Sequence, residues 1–81
     1  MKIKVKLEGT NDFKEVEVKE EFSILELKSI VSSLFNIPIK EIELILNDIQ
    51  LFDELIVSEI NFDDNFVFIR RHKLNLPENN S

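Results

Sequence analysis

The feature that most constrains this chain is a change of hydrophobic period near residue 22. Before it, two short stretches alternate apolar and charged side chains; after it, apolar residues return at helical spacing. In residues 1–7, Met1, Ile3, Val5 and Leu7 fall on one side and Lys2, Lys4 and Lys6 on the other, the pattern of a strand with one buried face. Gly9-Thr10-Asn11-Asp12 supplies turn chemistry. Residues 13–19 alternate again, with Val16 and Val18 inward and Glu15, Glu17 and Lys19 outward. The two runs read as a β-hairpin with lysines of the first strand opposite glutamates of the second. Exposed pairs of this kind contribute about 0.2–1 kcal/mol each and help fix the register.

Ser23-Ile24-Leu25-Glu26 is a capping-box pattern, with Phe22 and Leu27 placed for a hydrophobic staple. Ile24, Leu27, Ile30, Val31 and Leu34 then form one apolar stripe, and Lys28, Ser29, Ser32 and Ser33 much of the opposite face. Asn36 takes the left-handed conformation that ends helices and Pro38 blocks continuation, so the spacing predicts a helix over 23–35.

Further on, residues 42–46 read as a strand, Asn47-Asp48 as a tight turn and residues 49–52 as a short strand. Residues 55–62 are less regular and offer Val57, Ile60 and Phe62 to the core, with one helical turn. Asp63-Asp64-Asn65 is a turn, and Phe66-Val67-Phe68-Ile69-Arg70 is a β-prone final strand. The order β-β-α-β-β-(short helix)-β implies an α+β fold, a mixed sheet with one main helix packed across one face. Residues 1–71 are expected to form the domain and 72–81 a flexible tail or the start of a linker.

A chain of 81 residues holds one core. With no Cys and one His, disulfide scaffolds, iron–sulfur clusters and Cys/His zinc sites are excluded from within it. A net charge of −6 disfavours nucleic acid as a partner. No apolar run approaches the ~20 residues of a membrane helix. The N-terminus lacks the apolar stretch of a signal peptide, so the expected setting is cytosol or nucleus. Catalysis has few parts: His72 is the sole imidazole, Asp63-Asp64 sits in a solvated turn, and Ser32-Ser33 lies on the polar side of the helix. Asn79-Asn80-Ser81 matches a glycosylation sequon, which means little without a secretory signal. No catalytic, cofactor or metal residue is expected.

The functional clue lies in the faces of the sheet. One helix covers one face, yet Leu44-Ile45-Leu46 and Phe66-Val67-Phe68-Ile69 are apolar at consecutive positions and so on both faces. With Leu44, Phe66 and Phe68 turned toward the helix, Ile45, Val67 and Ile69 face solvent as an apolar patch of the kind that marks an interaction site. Arg70, Arg71, His72 and Lys73 form a basic run at its edge, suited to pairing with an acidic partner and raising the on-rate. The expected partner-binding residues are Ile45, Val67, Ile69, Arg70 and Arg71.

In order and spacing the chain resembles ubiquitin and its relatives over residues 1–71. The features that carry the resemblance are Met1-x-Ile3-x-Val5-Lys6, Val16-Glu17-Val18, and the capped helix with Ile24, Leu27, Lys28 and Val31. Ile37-Pro38, Leu44-Ile45, Gln50-Leu51, Val57-Ser58-Glu59-Ile60-Asn61-Phe62 and a terminal apolar strand ending in Arg71 complete it. The resemblance implies a ubiquitin-like β-grasp fold. It places Ile45 and Ile69 at the family's hydrophobic recognition patch, with Val67 in place of the patch histidine and no counterpart of the patch leucine. Partners implied are proteins with helical ubiquitin-interacting motifs, other ubiquitin-binding domains and proteasomal receptor subunits. Glu43 and Ile49 replace basic residues of the family. Lys28 matches its buried helix lysine, paired with a carboxylate.

Conjugation in this family needs a Gly-Gly terminus, and the one glycine here is Gly9. The resemblance therefore implies a non-conjugatable, monomeric domain that heads a larger protein. The nearest functional analogy is the N-terminal domain of proteasome shuttle proteins of the DNA-damage-inducible type, through the run from Asp63 to Arg71. The alternative is a structural adaptor similar to elongin B, through residues 25–31, or a homodimerising domain.

Overall fold

Ser23 caps the helix as its sequence context predicts. Its hydroxyl accepts from the Glu26 N–H at 3.2 Å, and the Glu26 carboxylate accepts from the Ser23 N–H at 2.9 Å, so two backbone donors at the helix start are satisfied reciprocally. The computed structural model describes residues 1–72. The expected tail beyond His72, with Lys73, lies outside the described residues.

In chain order the elements are β1 (Lys2–Leu7), β2 (Phe13–Glu17), α1 (Ile24–Phe35), β3 (Ile42–Leu46), β4 (Ile49–Leu51) and β5 (Val67–Arg71). Single 3₁₀ turns stand at Ile39–Glu41 and Val57–Glu59. The first of these is not legible from Pro38 as a helix stop alone. Asn36 ends α1 at φ 58°, ψ 46°, a left-handed conformation that Asn tolerates. Asn47 and Asp48 both have positive φ, 53° and 66°, as a two-residue hairpin turn between right-twisted strands requires.

The five strands form one mixed sheet in the order β2-β1-β5-β3-β4. The pair β1 and β5 is parallel, and the other three pairs are antiparallel. The predicted hairpin register holds, with Lys2 opposite Glu17 and Lys4 opposite Glu15. α1 lies on one face through Ile24, Leu27 and Val31, all fully buried, against Ile3, Val5, Val16 and Leu44. That apolar burial is the main source of stability in a domain of this size.

The segment between β4 and β5 is tied to the start of α1. Ile24 and Leu25 donate backbone N–H bonds to the Leu55 and Asp53 carbonyls, and Val57 donates to the Phe22 carbonyl. The Lys28 ammonium, about one turn on, sits 2.6 Å from the Asp53 carboxylate with its side chain nearly buried. This is the structural role expected for Lys28: a charge taken out of water and neutralised locally.

β5 departs from expectation. Val67 and Ile69 point under the helix at 0% exposure, and both belong to the core. Phe66 and Phe68 lie on the other side. The cause is the pairing of β5 with strands whose orientation is unambiguous. Residues opposite one another in a ladder share a face, and Val67 lies opposite Val5, while Ile69 lies opposite both Leu7 and Leu44. The inward turn of Val5 and Leu44 thus carries Val67 and Ile69 with them.

Candidate protein-interaction face

On the side of the sheet away from α1, one rung runs across all five strands. Phe13 of β2 pairs with Lys6, Lys6 with Phe68, Phe68 with Ile45, and Ile45 with Gln50. Phe66 stands beside this rung. Its ring meets Phe13 edge-on at 5.5 Å between centroids and Phe68 at 6.3 Å with a 44° tilt, both favourable aromatic geometries. The ammonium groups of Lys4 and Lys6 lie 5.1 and 5.5 Å from the centre of the same ring, within cation–π range. Among the described residues no helix or strand packs over this surface, and Phe13 is 52% exposed.

Of the predicted site residues, only Ile45 stands on the outer face among the apolar ones. It is 6% exposed, flanked in the rung by Gln50 and Phe68, and lies outside the core cluster beneath the helix. Val67 and Ile69 are not available to a partner. The apolar surface comes instead from Phe13, Phe66 and Phe68, which a reading of Phe66–Ile69 with the opposite orientation misses. Phe13 carried a usable signal: it shares the outward parity of Glu15 and Glu17.

Among the described residues of the basic run, Arg70, Arg71 and His72 do not form one patch. Arg70 and Arg71 leave the strand on opposite sides, and each is held by a carboxylate. Arg70 makes a two-pronged bond to Glu8 at 3.0 and 2.9 Å, and Arg71 Nε reaches Glu41 at 2.7 Å. His72 Nδ1 lies 3.8 Å from Glu43. The Arg70 guanidinium, chiefly through its hydrogen bonds, holds the Glu8 carboxyl below the usual carboxylate range, and Glu8 in turn raises Arg70. These pairs are exposed and leave little free positive charge for an acidic partner.

The arrangement offers apolar rings, backbone edges and charge, but no nucleophile–base pair. No group of three or more metal-ligating side chains occurs among the described residues. Such a face has the parts for binding.

The sequence profile of the ubiquitin family matches residues 3–72. The chain belongs to the ubiquitin family. Its five-stranded sheet with one main helix is the ubiquitin-like β-grasp, and membership of the family makes it a protein-interaction module in general terms. No curated protein gives a significant match. The fold matches 294 solved chains, a breadth that keeps fold from deciding function. A crystal structure of ATBAG1 in complex with HSP70 matches with a TM-score of 0.78 at 15% identity, covering 91% of this chain. The match takes in 41% of that chain's length, and at this identity it shows the fold alone. Against the ubiquitin-family frame, Phe68 of this member, not Val67, is the partner of Ile45 across the β3–β5 pair.

Proposed function

We propose that this ubiquitin-like domain docks proteins of the ubiquitin–proteasome pathway through the outer face of its sheet, with Phe68, Phe66 and Phe13 as the apolar anchors beside Ile45. The single observation that carries the reading is the unbroken rung Phe13–Lys6–Phe68–Ile45–Gln50 on a surface left uncovered by the domain's one main helix. Partly exposed aromatic rings on or beside a rigid sheet lose little conformational freedom on binding and are among the residues that most often dominate interface energies. The partner class is one that recognises ubiquitin-like folds: a helical ubiquitin-interacting motif, another ubiquitin-binding domain or a proteasomal receptor subunit, as a shuttle protein's domain would meet.

Isothermal titration of the domain with a helical ubiquitin-interacting-motif peptide tests this. Phe68→Ala lowers the affinity by about 1–3 kcal/mol, whereas Leu25→Ala on the exposed side of α1 leaves it unchanged. Equal affinity of Phe68→Ala and wild type would remove the basis of the reading.

A structural adaptor is the second reading, favoured by Ile49 of edge strand β4 and Phe52 just after it, which are 65% and 61% exposed and would be buried in a permanent complex. Sedimentation across concentration separates a monomeric docking domain from one that self-associates through this edge.

A further inference from the structure

A cavity of about 380 Å³ opens beside the rung, between the β3–β4 turn and the turn that precedes β5, lined by Asn47, Asp48, Asp64, Asn65, Phe66 and Phe68. Among the described residues its lining holds two aromatic rings, two carboxylates, two amides and no cation. Among the described residues neither Asp48 nor Asp64 forms an ion pair. Arg70, the next outward residue of β5, is hydrogen-bonded to Glu8 and acts on Asp48 only through longer-range charge, without an ion pair. Lys4 and Lys6 occupy the Phe66 ring but do not line the cavity, and no cation of the described residues stands over Phe68. Both turns are set by left-handed residues, Asn47, Asp48 and Asp63 at φ 53°, 66° and 51°, conformations that Asn and Asp accept locally.

We propose that this cavity receives an arginine side chain of the docked partner. A ring face carries negative potential and attracts a cation laid on it. A planar, weakly hydrated guanidinium stacks on such a face and still reaches carboxylates at its edge. The two aspartates come from separate turns, so a group between them is drawn from two directions, and the net charge of −6 steers basic segments toward the domain. The inference deepens the docking reading and rests on it for the existence of a partner. The chemistry of the cavity stands or falls without one.

The test is an amide NMR titration of the ¹⁵N-labelled chain with Nα-acetyl-arginine methylamide, and with the citrulline analogue, which has the same shape and no charge. The expected result is a set of shifts centred on residues 47, 48, 64–66 and 68. The arginine probe binds at least about two- to fivefold more tightly than citrulline, the range of an exposed cation–π contact. In Asp48→Asn/Asp64→Asn, which keeps residues tolerant of these turn conformations, arginine binding falls to the citrulline level. Equal binding of the two probes to the wild-type chain overturns the proposal. So do shifts spread evenly over the domain's other carboxylates, or an unchanged response in the double variant. If arginine fails while a ubiquitin-interacting-motif peptide still shifts residues 45 and 68, the cavity assignment is wrong and the docking face survives. The reverse pattern removes the docking face and keeps the cavity.

Discussion

Ile45 and Phe68 stand opposite one another across the β3–β5 pair, on the side of the sheet that α1 does not cover. Antiparallel neighbours in such a pair hold their Cβ atoms about 4.5–5.5 Å apart, so the aromatic ring and the β-branched chain form one surface unit. Phe68 contributes its accessible part, and Ile45 is largely covered. Ile45→Ala therefore weakens the support of the face and the fold together, while Phe68→Ala removes a contact surface.

The orientation of β5 yields a stability contrast. Ile69 is fully buried, so Ile69→Ala costs about 2–5 kcal/mol, whereas Phe68→Ala on the half-buried outer face costs about 1–2 kcal/mol. Denaturant unfolding followed by circular dichroism measures both. A larger loss for Phe68→Ala would mean that the strand faces the other way.

Leu27 fills the centre of the α1–sheet interface at 0% exposure. Leu27→Ala should destabilise the domain by about 2–5 kcal/mol through the cavity it leaves, read from the same unfolding curves.

The Lys28–Asp53 pair is asymmetric, with side chains 11% and 45% exposed. Asp53→Ala strands a nearly buried ammonium and should cost about 1–3 kcal/mol. Lys28→Met keeps the apolar stem and leaves a carboxylate that is buried at Oδ1 but open to water over much of the rest of the side chain, so its cost should be smaller. Thermal unfolding of the two variants checks the order.

Glu8 gives the domain an acid-sensitive link between the first hairpin and β5. Its carboxyl titrates below the usual range when folded, so its pairing with Arg70 stabilises the fold above the ordinary carboxylate value. That contribution is lost as pH falls through the lowered value. Glu8→Gln should flatten this part of the acid-unfolding profile, and salt should do the same because the pair is exposed. A carboxyl-detected NMR titration of Glu8 reads the direction of the shift.

Much of the fold is written locally. The hairpin, the capped helix and the Asn47-Asp48 turn each follow from short-range chemistry: alternation, a reciprocal Ser–Glu cap, and residues that accept positive φ. The outer face is less legible. Phe66-Val67-Phe68-Ile69 has no period, so its orientation is decided by a parallel partner more than 60 residues away, Val5 opposite Val67, and no window of the sequence contains that information. Likewise, the run Arg70-Arg71 reads as one basic patch until strand geometry sends the two side chains to Glu8 and Glu41.

The most direct measurement is an amide NMR titration of the wild-type domain with a helical ubiquitin-interacting-motif peptide. Docking on the uncovered sheet face predicts saturable shifts at residues 6, 13, 45, 50, 66 and 68, with the outward side of α1 silent. Shifts confined to α1, or none at a peptide concentration that saturates ubiquitin itself, would contradict it.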